Sequence, residues 1–298
     1  MKSCALFKIL VLVCLLFWAN ISVEASLISG EKILLANFGK VTATETVAQK
    51  LTLPYTIKLE KGCGLTVLGE TPGLINQVSG KSIAWERVKL LFLGKAWNIS
   101  SYKALEVSTV IEAREMLLMV QCLFEASDRP GNYEGMITLQ PWREVQNGMR
   151  ENLKPVKILV KFEISPWIKL SNEVVTVNIN EVASDGLSLK RGMPLSLKIA
   201  SNAKWAVSLA LDKNSNSILK AVPFNVKTVS TNNSFQEFSQ VFRDNNLEAK
   251  KIAIGMPTVN AERYWCEIPL YFMIESYLKY PAGKVDFQFH CVGELFDN

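Results

Sequence analysis

The chain has 298 residues, of which 49% are hydrophobic and 20% charged, with a formal net charge of +5. That apolar content supports a packed core and excludes an intrinsically disordered chain. Lysines and arginines are scattered in runs no longer than two, so there is no basic stripe for nucleic acid, and the charge licenses only a mild attraction to anionic surfaces.

The N-terminus has the build of a secretory signal peptide. Lys2 and Lys8 make a basic start, an apolar run follows from Ile9 to Trp18, and Val23-Glu24-Ala25 places small residues where a signal peptidase reads. The run is short for a membrane span of about 20 residues. Cys14 is no lipid attachment site, because Val13 precedes it and apolar residues continue past it. Residues 1–25 are therefore expected to be removed, leaving a mature chain that starts near Ser26 without a transmembrane anchor. It is expected to be secreted, periplasmic or at the cell surface. Loss of two lysines and one glutamate takes the formal charge from +5 to +4.

From Ser26 onward, alternation of apolar and polar residues dominates. Residues 26–53 carry Ile33, Leu35, Phe38 and Val41, which suit an extended arm or the first strand of the domain. Alternating runs follow at 55–59, at Cys63 with Leu65 and Val67, and at Cys122 with Leu118, Val120 and Phe124. Trp142 sits in an expected loop, Gln140-Pro141-Trp142-Arg143. Val156, Ile158, Val160, Phe162 and Ile164 then share one face, with Lys157, Lys161 and Glu163 on the other. Pro166-Trp167 interrupts the ladder and marks a boundary between domains 26–166 and 167–298. The second half alternates again at 195–199, 205–211, 264–274 and 285–291, with an insert around 212–250. One stretch departs: Ser234 and Glu237 suit a capping box, and Phe235, Phe238, Val241 and Phe242 follow helical spacing, so a short helix is expected there. Many short strands broken by Gly, Pro, Asn and Asp turns predict an all-β sandwich or barrel.

A weak internal repeat organises these strands. Lys95-Ala96-Trp97-Asn98-Ile99-Ser100 returns as Ala203-Lys204-Trp205-Ala206-Val207-Ser208, and the turn Arg129-Pro130-Gly131 returns as Tyr280-Pro281-Ala282-Gly283. With the closing Ser165-Pro166-Trp167, this pattern resembles tandem bacterial immunoglobulin-like sandwiches of secreted and surface proteins, including pilin- and coat-like subunits. The resemblance implies two Ig-like β-sandwich domains, the second holding the short helix. It also implies that the second copy lacks a terminal strand and leaves an open edge. An arm carrying Ile33, Leu35, Phe38 and Val41 could then complete that edge in the next subunit by strand addition.

Chemistry is sparse. Four cysteines lie beyond position 25: Cys63, Cys122, Cys266 and Cys291, all in phase with core residues. In an oxidising compartment, pairing within each half (Cys63–Cys122, Cys266–Cys291) is expected, although four cysteines allow three connectivities and four buried thiols are the alternative. A metal site is not expected, with no Cys-x-x-Cys pair and a single histidine, His290, on a polar face. No nucleophile motif accompanies Asp286 and His290, and Glu134, Glu163, Glu267 and Asp286 read as solvated strand charges. The expectation is a non-enzymatic subunit of an envelope or surface assembly, without cofactor, whose partners are other protein subunits. The alternative is a monomeric carbohydrate- or polymer-binding module that uses exposed aromatics such as Trp142 and Trp265. A two-domain periplasmic chaperone ranks below the subunit reading, for want of signature residues.

Overall fold

The structure is a computed structural model that describes residues 26–28, 31–59, 62–107, 114–145, 148–179, 195–212, 224–230, 233–242, 248–260, 262–274 and 285–296. The expected signal peptide and the Pro281 turn lie outside the described residues. Among the described residues, no helix is long and apolar enough to cross a membrane. The chain divides into two compact units, one comprising the chain up to Val41 with Thr46–Phe124 and Gly131–Ile164, the other Thr42–Glu45, Glu125–Pro130 and Ser165–Asn298.

In chain order, the first unit's strands are β1 (Ser26–Ile28), β2 (Glu31–Val41), β3 (Val47–Leu59), β4 (Cys63–Gly69), β5 (Gly73–Asn76), β6 (Ser82–Ala84), β7 (Val88–Phe92), β8 (Lys95–Asn98), β9 (Leu105–Val107), β10 (Arg114–Phe124), β11 (Gly131–Glu144), β12 (Arg150–Asn152) and β13 (Val156–Ile164). They form a nine-stranded sheet with the path β1-β2-β13-β11-β4-β9, to which β5, β6 and β12 attach, and a four-stranded sheet β3-β10-β7-β8. The alternating pattern decides which side of each strand is dry: Val156, Ile158, Val160, Phe162 and Ile164 of β13 are all buried. Leu34, Ala36, Leu65, Val67, Ile137 and Leu139 join them from the same sheet, and Leu53, Val88, Leu90, Leu118, Val120 and Phe124 come from the other. Strand β2 runs parallel to β13, with Lys32 opposite Val156 and Val41 opposite Ile164.

The second unit holds β14 (Ile168–Leu170), β15 (Val174–Ile179), β16 (Leu195–Ser201), β17 (Trp205–Leu211), β18 (Phe224–Thr228), β19 (Phe235–Glu237), β20 (Ser239–Phe242), β21 (Lys250–Gly255), β22 (Cys266–Ile274) and β23 (Val285–Leu295). Its two five-stranded sheets run β14-β16-β22-β18-β20 and β15-β23-β17-β21-β19. Leu197, Ile199, Trp205, Val207, Leu209, Val226, Ile268 and Phe289 are among the residues of its single large core cluster. The all-β class predicted from alternation is what the chain adopts.

The short helix expected at 234–242 does not form. Phe235–Glu237 instead pairs with β21, and Ser239–Phe242 pairs with β18 in the other sheet. Tertiary packing overrides the helical spacing: Phe235 lies against Trp205 at 6.4 Å between centroids, and Phe242 meets Phe289 edge-on at 5.6 Å. The supposed capping box is also used differently, since the Glu237 carboxylate accepts from the Ser230 backbone N–H. The repeat motifs diverge as well. Trp97 is half-buried on the edge strand β8, stacked on Phe92, whereas Trp205 is fully buried on the internal strand β17.

Trp205 sits directly opposite Gly255 on β21, and its ring covers that glycine. A Cβ added at Gly255 would lie 2.2 Å from Trp205 Cζ2, while the indole N–H donates to the Met256 carbonyl at 2.7 Å. Gly255→Val is therefore expected to cost roughly 2–3 kcal/mol by overpacking a site that cannot yield. Urea unfolding followed by tryptophan fluorescence measures that loss.

Candidate functional site

The two units can be compared strand by strand. In the first, β11 pairs on one side with β4 and on the other with β13, which in turn carries β2 in parallel. In the second, β23 holds the place of β11, pairing on one side with β17. On its other side β15 lies against it antiparallel, from Val174 opposite His290 to Ile179 opposite Val285, in the place that β13 holds beside β11. Among the described residues no strand lies beyond β15 where the parallel β2 lies beyond β13.

The same side of the second unit carries an open groove of about 590 Å³. Ile168 and Leu170 of β14 form one wall, and Cys291, Val292 and Gly293 of β23 the other, with Trp265 beside them. Local sequence explains the shape. Glycine at 293 lets β14 close on β23, since a Cβ there would lie 2.8 Å from Ile168 Cδ1. Ser171 to Glu173 carry the chain from one sheet to the other, and the Cys291 N–H donates to the Glu173 carbonyl at 2.8 Å. Among the described residues β15 ends its sheet, with one edge carrying no strand. Val174 and Val292, at 43% and 40% exposure, leave apolar surface at this side.

Of the residues marked out in sequence, Trp265 lies at the groove, 37% exposed and held edge-on against Tyr264 at 5.3 Å. His290 is also there, exposed, its Nε2 2.8 Å from Asp212 Oδ2. Ile33, Leu35, Phe38 and Val41 lie in β2 within the first unit's own sheet, where Val41 is buried and Phe38 meets Phe124 edge-on at 5.9 Å. The expectation of a loop tryptophan at 142 is corrected: Trp142 is on β11, 6% exposed, directly opposite Gly64. The short strand β12 folds back on the end of β11 and brings the Arg150 guanidinium 4.1 Å over the indole. The expected disulfides are not shown: Cys63, Cys122, Cys266 and Cys291 are all buried in core positions, and the Cys266 thiol donates to Ser234 Oγ at 3.7 Å. Among the described residues no cluster of three His, Cys, Asp or Glu side chains could hold a metal. Sequence reasoning missed Ile168, Leu170 and Gly293 as groove residues. Ile168 and Gly293 are far apart in the chain, and only the pairing of β15 with β23 brings β14 to that side.

No known family model matches the chain, and no curated protein does. Among solved structures, the CsuC–CsuE chaperone–tip adhesion subunit pre-assembly complex of archaic Csu pili from Acinetobacter baumannii aligns at 9% identity, over 87% of this chain and 98% of that one, with a TM-score of 0.34. A chaperone–tip adhesin complex of CFA/I fimbriae biogenesis aligns at 10% identity, over 88% and 96%, with a TM-score of 0.31. CfaE, the adhesive subunit of CFA/I fimbria of enterotoxigenic Escherichia coli, aligns at 13% identity over 43% of this chain with a TM-score of 0.30. The chain thus spans less than half of that subunit, 46% of its length.

Burial raises the Cys291 thiol from its ordinary 9.0 to about 11. A folded-state value above the unfolded one favours the neutral thiol, so its contribution to stability is full below pH 9 and is lost as pH rises toward 11. The Cys291→Ala variant is expected to lose less stability than wild type across that window, read as urea midpoints at successive pH values.

Proposed function

We propose that the protein is a secreted structural or adhesive subunit of a surface assembly, and that its second unit takes up a β-strand from a second copy along the β14–β15–β23 side. The observation that carries this reading is the topological difference between the units. The first carries a parallel β2 beyond β13, whereas in the second, among the described residues, the sheet stops at β15, the strand equivalent to β13, beside an open groove. An incoming strand would gain backbone hydrogen bonds along the free edge of β15, and its alternate side chains would enter the groove. Three apolar anchors seated there contribute roughly 5–9 kcal/mol before the cost of association is subtracted.

The donor expected from sequence, 33–41, is engaged in cis: Leu34, Ala36 and Val41 are buried in the first unit. Donation by this strand therefore requires it to leave its own sheet, while the outermost strand β1 pairs, among the described residues, with β2 alone. In the groove His290 is paired to Asp212 and burial keeps the Cys291 thiol neutral, which favours binding over turnover.

Light scattering of the mature protein over a range of concentrations tests the proposal, beside Val292→Lys, which puts a charge at the groove, and a form lacking 26–28. Wild type is expected to form concentration-dependent oligomers. Val292→Lys is expected to abolish them with its melting temperature unchanged, and loss of oligomers in the form lacking 26–28 would name β1 as the donor. A wild-type monomer at every concentration would overturn the proposal.

A further inference from the structure

The first unit carries a second concavity, of about 520 Å³, on the outer face of its larger sheet. Three neighbouring strands build it as a grid. One row is Asn132 of β11, Glu163 of β13 and Lys40 of β2; the next is Glu134, Lys161 and Asn37. Each row holds one amide, one carboxylate and one ammonium, and the two carboxylates are diagonal to each other. Gln77 closes the side beyond β11, its backbone N–H on the Asn132 carbonyl and its Nε2 donating to Glu134 Oε1 at 2.7 Å. The floor is the strand backbone at Tyr133 and Phe162, whose buried side chains stack on the core side with centroids 5.4 Å apart.

The grid exists because of a bulge. Residues 37 and 40 would face opposite ways on a regular strand. In β2 the register against β13 shifts between Lys161 and Glu163, so that Phe38 and Gly39 together oppose Phe162. Gly39 takes a left-handed φ of +68°, and its N–H is received by Asn37 Oδ1 at 2.9 Å. Lys40 is thereby returned to the outer face, Phe38 is turned to Phe124, and Val41 re-enters the core. Bulges re-aim side chains in this way and are over-represented beside binding sites.

We infer that this grid is a binding site for a neutral carbohydrate of one or two rings. The volume falls within the range of small-ligand sites. Two cations balance two anions, which selects against a strongly charged ligand, and the buried floor offers no open aromatic face to an apolar one. What remains is a set of donors and acceptors spaced along two rows, which suits neighbouring hydroxyl groups. The pairs already present do not block this use. Lys40 lies 3.1 Å from Glu163 and Lys161 lies 3.8 Å from Glu134, and exposed pairs of this kind hold each other weakly enough to exchange for ligand hydroxyls. The inference is independent of strand uptake by the second unit.

Saturation-transfer NMR with lactose, cellobiose, mannobiose and chitobiose, each added to the full mature chain, tests it. At least one of the four is expected to receive transfer. Glu163→Gln and the double change Glu134→Gln with Lys161→Met are each expected to weaken that binding about tenfold, the scale of one charge-assisted hydrogen bond, without moving the melting temperature. Absence of transfer to all four sugars, or affinities that move less than about twofold in both variants, would overturn the site.

Discussion

A tryptophan set opposite a glycine across a strand pair locks the register in each unit, and the functional geometry depends on that register. Trp142 covers Gly64 between β11 and β4, and Trp205 covers Gly255 between β17 and β21. Glycine offers nothing for a strand neighbour to pack on, so the indole supplies the missing surface. Sliding either pair by one residue would put a side chain, that of Cys63 or Leu65 in one case and Ile254 or Met256 in the other, beneath a ring that is already buried. Period two makes such a slip doubly costly, because it also turns every core residue of the strand to water.

Once β11 is fixed on β4, its other edge is fixed on β13, and the polar rows of the first unit follow from that one alignment. The same reasoning holds in the second unit. Registering β17 on both β21 and β23 sets where Gly293 meets Ile168, and so sets the wall of the groove. The two faces are chemically different for a simple reason. The first unit's sheet is continuous across β2, β13 and β11, so only outward polar side chains are on offer. On the β15 side of the second unit the chain crosses between sheets, and the flank of the core comes near the surface.

Much of the fold was legible in sequence, because alternation reports burial directly. The β13 pattern and the inward phase of all four cysteines are seen in the structure as read. Other features were hidden for physical reasons. Phe235, Phe238 and Phe242 fit a helical period as well as two short strands separated at residue 238, and only their partners in opposite sheets decide between these. Trp142 looked like a loop residue beside Pro141, although β11 runs on through that proline to Glu144. The bulge at Phe38 and Gly39 breaks alternation by a single residue, and the Asn-Phe-Gly-Lys run was its only trace in sequence. The groove was hidden too, because its residues come together only through pairings between distant segments.

The parallel pairing of β2 with β13 also bears on how the first unit is made. Residue 32 finds its partner at residue 156, so nearly the whole unit must exist before this strand can be satisfied. Contacts of such long sequence separation slow folding, because loop closure precedes any return from pairing. As the chain emerges from its N-terminus, β2 waits with its edge unpaired while β3 to β11 assemble. A strand left unpaired until so late keeps apolar surface exposed, and surface of that kind is what aggregates or seeks another protein.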